Sequence, residues 1–412
     1  LGDAASRCAW CARELEVYRR VAARQASKPT LLLPNSVYLE RDVPRGVDRF
    51  VLSVGNVQAG EPYQLQLVHT LQSAERHGVQ PGPLRTACAA IAKAAQLVHP
   101  TSRPCVAILT KPADSLALRT AIDVRGVGRT LEEAHGLEVV YVSMRDLART
   151  TIDAAGDLWL PDAVDGAGGG RRLSVIYSRY DFSHPHGRYA ASMAEVDEQL
   201  RHEWETIERL EMSNAVMSSN LGCRLAHRRG MQRALRLPGQ LERFLPVDEA
   251  AAVRNLLPEQ WHLGCDAERE AAVGLLRADA QGFVAKNVLR PRTGSGATQD
   301  RHASGGRIVS DAAELAQLFD DEERRGCFLL YRRERPSTHG ARIVHGGEVH
   351  ELSACAISEV ASFGAFVADA AGDVVLNALA GFGARTRPAA SMHELGAALG
   401  YGALSCVEAE TG

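Results

Sequence analysis

Residues 282–306 read GFVAKNVLRPRTGSGATQDRHASGG, a short apolar run (Phe283, Val284, Ala285) that ends in Lys286 and opens into a stretch rich in Gly, Arg, Ser and Thr. The apolar run predicts a strand. A strand feeding a loop of this composition can aim backbone N–H groups and side-chain cations at phosphate. The order is not that of a P-loop, because GxxxxGK[ST] is absent and Lys286 precedes the glycines. Taken alone, the stretch leaves phosphate binding and an ordinary exposed loop both open.

Downstream, Asp311–Phe319 predicts a helix, with Glu314 at capping-box spacing from Asp311, and Cys327–Arg333 a strand. Arg342–Val344 and Val349–Leu352 predict the arms of a hairpin over His345-Gly346-Gly347-Glu348, and Phe363–Ala368 and Val374–Asn377 further strands. Ser391 and Glu394 form a capping box for a short helix before the glycine-rich Gly396–Gly402. The second half thus reads as an antiparallel α+β unit around Lys286.

Upstream, Met193–Met217 predicts a helix whose Met193, Val196, Leu200, Trp204, Ile207 and Leu210 form a core-facing stripe, and Arg224–Leu237 a second helix that stops at Pro238-Gly239. Earlier still, helical spacing over Asp3–Ala26, Pro83–Val98 and Ala117–His135 alternates with strand patterns. Those strands are expected at Leu31–Leu33, Phe50–Val54, Tyr63–Leu71, Cys105–Leu109, Glu138–Val142 and Leu173–Tyr177. Strand, helix, strand in this order implies an α/β layer with parallel pairing. Arg179 follows the last of these strands, where it is placed either to hold a carboxylate or to form a surface salt bridge.

Composition narrows the class. The 412 residues are 45% apolar and 24% charged, the proportions of a globular protein with room for two or three domains. No apolar run reaches the length of a membrane span, and a net charge of −3 gives no overall nucleic-acid signature. The cations are nearly all arginine, Lys28, Lys93, Lys111 and Lys286 being the lysines. Nine scattered cysteines, with Cys8 and Cys11 close together, read as small buried side chains rather than a metal or redox set.

The order of pieces resembles eukaryotic-type glutathione synthetase, a member of the ATP-grasp superfamily. Five collinear segments carry the resemblance: VIYSRYDFSHPHG, RRGMQRALRLPGQLERFLP, GFVAKNVLRPRTGSG, ISEVASFGAFV and VVLNALAGFGARTRP. It implies an ATP-grasp fold of the glutathione synthetase type, mixed α/β and α+β, with an inserted parallel α/β substrate-binding domain. The expected domains are residues 1–102, the N-terminal part of the ATP-grasp body without the family's first helical portion; 103–205, the substrate-binding-like domain; and 206–412, the C-terminal ATP-grasp-like domain.

Members of that family ligate γ-glutamylcysteine to glycine with ATP, and Mg²⁺ ions bridge the phosphates. The resemblance places Lys286, Gly294, Gly296, Arg332 and Arg387 at ATP-side positions and Arg179, Glu359 and Arg385 at substrate-side positions. It puts Leu67, His69 and Thr293 where the family holds Mg²⁺. Leucine has no donor atom, imidazole is a poor Mg²⁺ ligand and threonine brings no charge. The reading that follows is a catalytically degenerate relative, with no catalytic residues and no cofactor, serving as a structural or accessory subunit of a larger assembly. Its expected partners are proteins, with RNA contact through Arg228, Arg229, Arg332, Arg333 and Arg335 as a further option. The start at Leu1 and the look of a recruited enzyme motivate a mitochondrial ribosome or respiratory complex as that assembly. The alternative is an active, cytoplasmic, homodimeric glutathione synthetase using ATP and Mg²⁺.

Overall fold

The computed structural model describes residues 9–40, 50–58, 82–110, 118–161, 170–179, 193–218, 220–226, 229–279, 282–287, 312–320, 328–332, 334, 336–345, 348–389 and 403–405. Helix α1, Ala9–Gln25, ends before Pro29, and the chain then runs through strands β1 (Thr30–Leu32), β2 (Asn35–Glu40) and β3 (Phe50–Gln58). The alanine-rich helix α2, Pro83–Val98, starts with proline in its first turn, where a missing N–H costs nothing. Strand β4, Cys105–Leu109, is CVAIL and buried along its whole length. A strand apolar on both faces needs cover on both, the condition of a parallel sheet.

That sheet is completed by the pieces that follow. Helix α3 (Leu118–His135), strand β5 (Glu138–Val142), a single turn α4 (Met144–Leu147), strands β6 (Thr151–Ile152) and β7 (Leu158–Pro161) and the longer β8 (Gly170–Ser178) come in order. β4 lies parallel between β5 and β8. β8 pairs antiparallel with β7 through its first half and parallel with β9 (Val216–Ser218) through its second. The helix expected to reach Met217 stops earlier: α5 is Met193–Met212. Ser213 turns its hydroxyl back onto the Leu210 carbonyl at 2.7 Å, and the Asn214 amide leaves for the Gly156 carbonyl at 2.7 Å. Val216 and Met217 then satisfy their backbone in the sheet.

α1 is latched to the end of α5. Arg20 pairs with Glu208 at 2.7 Å, Gln25 donates to Glu211 at 2.9 Å, and the buried Lys28 ammonium donates to the Glu211 and Ala215 carbonyls at 2.9 and 3.0 Å. Trp204, Ile207 and Leu210 of the expected stripe are buried with Val17 and Val21 of α1 against one face of β4 and β8. The first turns of α5 lie beyond the described side chains.

The single helix expected over Arg224–Leu237 is two, α6 (Leu221–Ala226) and α7 (Arg229–Arg236), with residues 227–228 outside the description. Helix α8 (Val247–Leu256), strand β10 (Gln260–His262), helix α9 (Asp266–Ala278), strand β11 (Phe283–Asn287), helix α10 (Ala312–Asp320) and strand β12 (Phe328–Arg332) follow. β10, β12 and β11 make a small antiparallel sheet in that order. One of its faces, Phe283, Ala285, Phe328 and Leu330, is buried with Ala272 of α9 and Leu318 of α10.

The last sheet hangs on one strand. β13 (His339–His345) turns into β14, which runs for 21 residues from Glu348 to Ala368 and replaces the separate strands expected at Val349–Leu352 and Phe363–Ala368. β14 pairs with β13, β2 and β1 along one edge and with β15 (Val374–Pro388) along the other, and β15 carries β16 (Ala403–Ser405). Ala87, Ala90, Ala94 and Ala95 of α2 are buried between Ala361, Phe363, Ala365 and Val367 of β14 and Val106, Ile108, Val175 and Tyr177 of the parallel sheet. Methyl side chains on both sides of α2 let the two sheets approach one helix closely. Among the described residues no helix is long and apolar enough to cross a membrane. The expected strand Tyr63–Leu71, the capping box at Ser391 and the segment Gly396–Gly402 lie outside the described residues.

Candidate functional site

Alternation along β14 puts Ile357, Glu359 and Ala361 on its buried face. Glu359 is only 3% exposed, and its register partner on β15 is Arg385, whose guanidinium is hydrogen-bonded to the Glu359 carboxylate. Arg387, opposite Ile357, continues the same face two residues on. A buried carboxylate without a cation would be strongly penalised, so this pair must stay together whatever else it does. The two long strands therefore bring the substrate-side positions Glu359 and Arg385 into direct contact and set the ATP-side position Arg387 beside them.

The small sheet holds two further positions expected on the ATP side, Lys286 and Arg332. Lys286 is described as a residue of β11, opposite Leu329. Arg332 sits opposite Phe283 on β12, its guanidinium 5.1 Å above the Phe283 ring and 2.7 Å from Glu259. Register gives Lys286 and Arg332 opposite parity across the β11–β12 ladder, so the two positions do not share a face. Arg332 belongs instead with the apolar face, where Trp261 also meets Phe283 edge-on at 5.8 Å.

The opposite face carries polar atoms that no reading of the sequence singles out. Gln260 of β10 pairs in register with Tyr331, and both are buried. Helix α7 is tied to this end of the sheet by Arg233, which donates to Glu268 at 2.8 Å while Glu268 accepts the His262 amide at 2.7 Å, and by Arg236 facing Glu259 at 3.9 Å. Next to Arg233 lies Gln232, 4% exposed. Among the described residues neither the Gln232 nor the Gln260 carboxamide, oxygen or nitrogen, has a hydrogen-bond partner. Leaving such a group dry costs roughly 1–3 kcal/mol, so each marks a position where a polar partner would be favourable. The only sequence signal was their position in otherwise helical and strand-like patterns, which does not reveal a missing partner.

Arg179 follows β8, its amide donating to the Leu109 carbonyl at 2.8 Å. Its guanidinium is nearly without solvent exposure. It lies 3.5 Å from Asp123 of α3, with the two side chains 2% and 5% exposed. Of the two readings left open by the sequence, the ion pair is present, and it is buried rather than superficial. Asp123 had no distinguishing mark in the helical pattern of α3.

Gly294, Gly296, Leu67, His69 and Thr293 lie outside the described residues. Among the described residues no group of His, Cys, Asp and Glu is arranged to hold a metal ion.

No family model matches the chain. It is 27% identical over 168 residues to glutathione synthetase of Xenopus laevis, covering 40% of this chain and 33% of that protein. It is 24% identical over 282 residues to the chloroplastic glutathione synthetase of Arabidopsis thaliana, covering 68% and 45%. The chain thus spans less than half the length of these curated relatives. Among solved structures, a glutathione synthetase-like effector from Globodera pallida, in its apo form, superposes over 94% of this chain and 82% of its own with a TM-score of 0.61 at 14% identity. In sequence the chain is similar to part of these glutathione synthetases, and in fold it is similar to the glutathione synthetase-like effector.

Proposed function

We propose that this chain is a glutathione-synthetase-like protein that holds a nucleotide against the small sheet without running the ligation, its folded surface serving an accessory role. The observation that carries the nucleotide is the pair of buried, unpartnered carboxamides, Gln232 and Gln260, each able to donate and accept at the edge of a base. The loss of ligation is supported by donor chemistry. Leu67, His69 and Thr293, at the positions the resemblance gives to Mg²⁺, include no carboxylate, so they do not fit that ion. Arg179, at a substrate-side position, already has Asp123 for a partner. The neighbour from Globodera pallida is described as an effector, which agrees with a use of this fold under another heading than synthesis.

Purified protein tests the reading in one sitting. ATP should raise the unfolding midpoint, by about 2.7 kcal/mol of stability when its concentration is a hundred times its dissociation constant. Mg-ATP with γ-glutamylcysteine and glycine should release no phosphate above a protein-free blank. Phosphate release near one per second, the ordinary enzyme range, would instead establish an active synthetase. That second reading is favoured by the resemblance to the Xenopus laevis and Arabidopsis thaliana synthetases. Absence of any nucleotide effect would leave the accessory role alone, to be pursued through proteins that co-purify with the chain.

A further inference from the structure

The even-numbered positions of β14 and β15 at the Glu359–Arg385 level face away from that ion pair, and there a second polar constellation stands. Ser358 and Thr386 are register partners, their hydroxyl oxygens 2.7 Å apart. His339 of β13 brings Nε2 to 2.8 Å from the Ser358 hydroxyl, while its Nδ1 lies 3.0 Å from the Gly340 carbonyl. A carbonyl accepts only, so Nδ1 carries the proton and Nε2 offers its lone pair to Ser358. The Ser358 proton is then engaged by His339, and the Thr386 hydroxyl must donate to the Ser358 oxygen. The arrangement is directed: Thr386 to Ser358 to His339.

The backbone around His339 is bent to produce this contact. The β13–β14 register shifts between His339 and Ala341, and Ala354, across the ladder, has φ of 53°, the one positive value among the described non-glycine residues. Bulges of this kind re-aim a side chain, and strained backbone concentrates where geometry matters. His339 is exposed and Ser358 half-buried.

We propose that Ser358 is a nucleophile activated by His339, with Thr386 positioning its oxygen, and that it accepts acyl groups from small carboxylic esters. Ser358 and His339 match the general pattern of a nucleophile and a base within hydrogen-bond reach, with the Gly340 carbonyl fixing the base's tautomer. In the step, Ser358 Oγ bonds to the ester carbonyl carbon and its proton passes to His339 Nε2. The C–O bond to the alcohol breaks, and the alcohol leaves with that proton. Water then repeats the sequence on the acyl-serine and releases the carboxylic acid. The negative charge of the tetrahedral intermediate develops on the former carbonyl oxygen, and Thr386 Oγ1–H, donating to Ser358 Oγ, holds that oxygen in place for attack. None of this depends on the nucleotide reading, since it uses a different sheet.

The test is covalent labelling of the full chain with a fluorophosphonate, followed by peptide mass spectrometry. An adduct on Ser358, formed about 100-fold more slowly in His339→Gln, is the expected result. Thr386→Ser, which keeps the donating hydroxyl, should label at close to the unmodified rate. No adduct on Ser358, or an adduct that forms equally fast in His339→Gln, overturns the proposal. The first of these is read on the unmodified protein, so it does not hinge on a variant folding.

Discussion

The Arg179 guanidinium lies 3.5 Å from the Asp123 carboxylate, and both side chains are almost without solvent. The cation that ends a central parallel strand is thereby matched from α3 of the same layer. Asp123→Asn would leave a buried positive charge short of its counterion and should cost about 3 kcal/mol of stability, measured by urea unfolding. Adding Arg179→Met to it should recover a good part of that loss. A single variant as stable as the unmodified protein would mean that the pair contributes nothing to the layer.

Lys28 gives a prediction with a sign. Burial, against the opposing attraction of Glu211, lowers the Lys28 ammonium from an ordinary 10.5 to about 8. Between those values the unfolded chain binds more protons than the folded one, so this site's contribution to stability rises with pH across that window. Lys28→Met should flatten that rise. It should also leave the Glu211 and Ala215 carbonyls without their donor, at a cost of roughly 1–3 kcal/mol near neutral pH. Denaturation midpoints taken from pH 7 to 10 read both effects.

His99 acts at the acid end. Its ring is 5% exposed, with Nδ1 2.7 Å from the Ser174 hydroxyl and Nε2 3.3 Å from Asp157. Burial holds its pKa below the usual 6.5 despite the hydrogen bond to Asp157. The unfolded state therefore takes up the proton first, and stability should fall as pH drops below about 6.5. Asp157, whose carboxyl is lowered by hydrogen bonds from Asn214, His99 and Arg172 in spite of its burial, adds loss in the same direction at lower pH. His99→Gln should shallow the first part of the acid limb, as followed by circular dichroism from pH 7 to 4.

Gln260→Leu separates ligand from scaffold. In the free protein it replaces a buried amide that has no partner with an apolar side chain of similar size, and stability should rise by about 1 kcal/mol. The same variant should lose most of the ATP-dependent shift in unfolding midpoint. A stabilised variant that still responds fully to ATP would place the nucleotide elsewhere.

What the sequence made legible follows its periodicity. CVAIL of β4, the alanine run of α2 and the Trp204–Ile207–Leu210 stripe are patterns that only one environment satisfies, and each is found in it. β2, NSVYLE, was missed because its polar residues break the alternation, although β14 supplies its pairing. β10 is three residues long, too short for any period, and α9 is carried by charged residues around a few apolar ones. SACAISEVAS, the middle of β14, is made of small side chains whose strand state is imposed by neighbours on both edges. At the site, the pairing of Glu359 with Arg385 was within reach, since both were singled out. Asp123 and the unpartnered carboxamides were not. A hydrogen bond that is absent leaves no trace in a string of letters.

The long strand β14 also sets an order of events in synthesis. Its edges are filled by β1 and β2, from residues 30–40, and by β15, from residues 374–388. A ribosome must therefore translate more than three hundred residues after β2 before β14, its partner on the side away from β3, exists. Until then Leu31, Leu33 and Val37, all buried in the finished molecule, lack the β14 residues that complete their core. The parallel layer, by contrast, draws β4, β5 and β8 from residues 105–178 and can assemble while the chain is still growing. Holdase chaperones binding nascent chains should thus concentrate on the N-terminal strands and release them only after β14 and β15 have emerged.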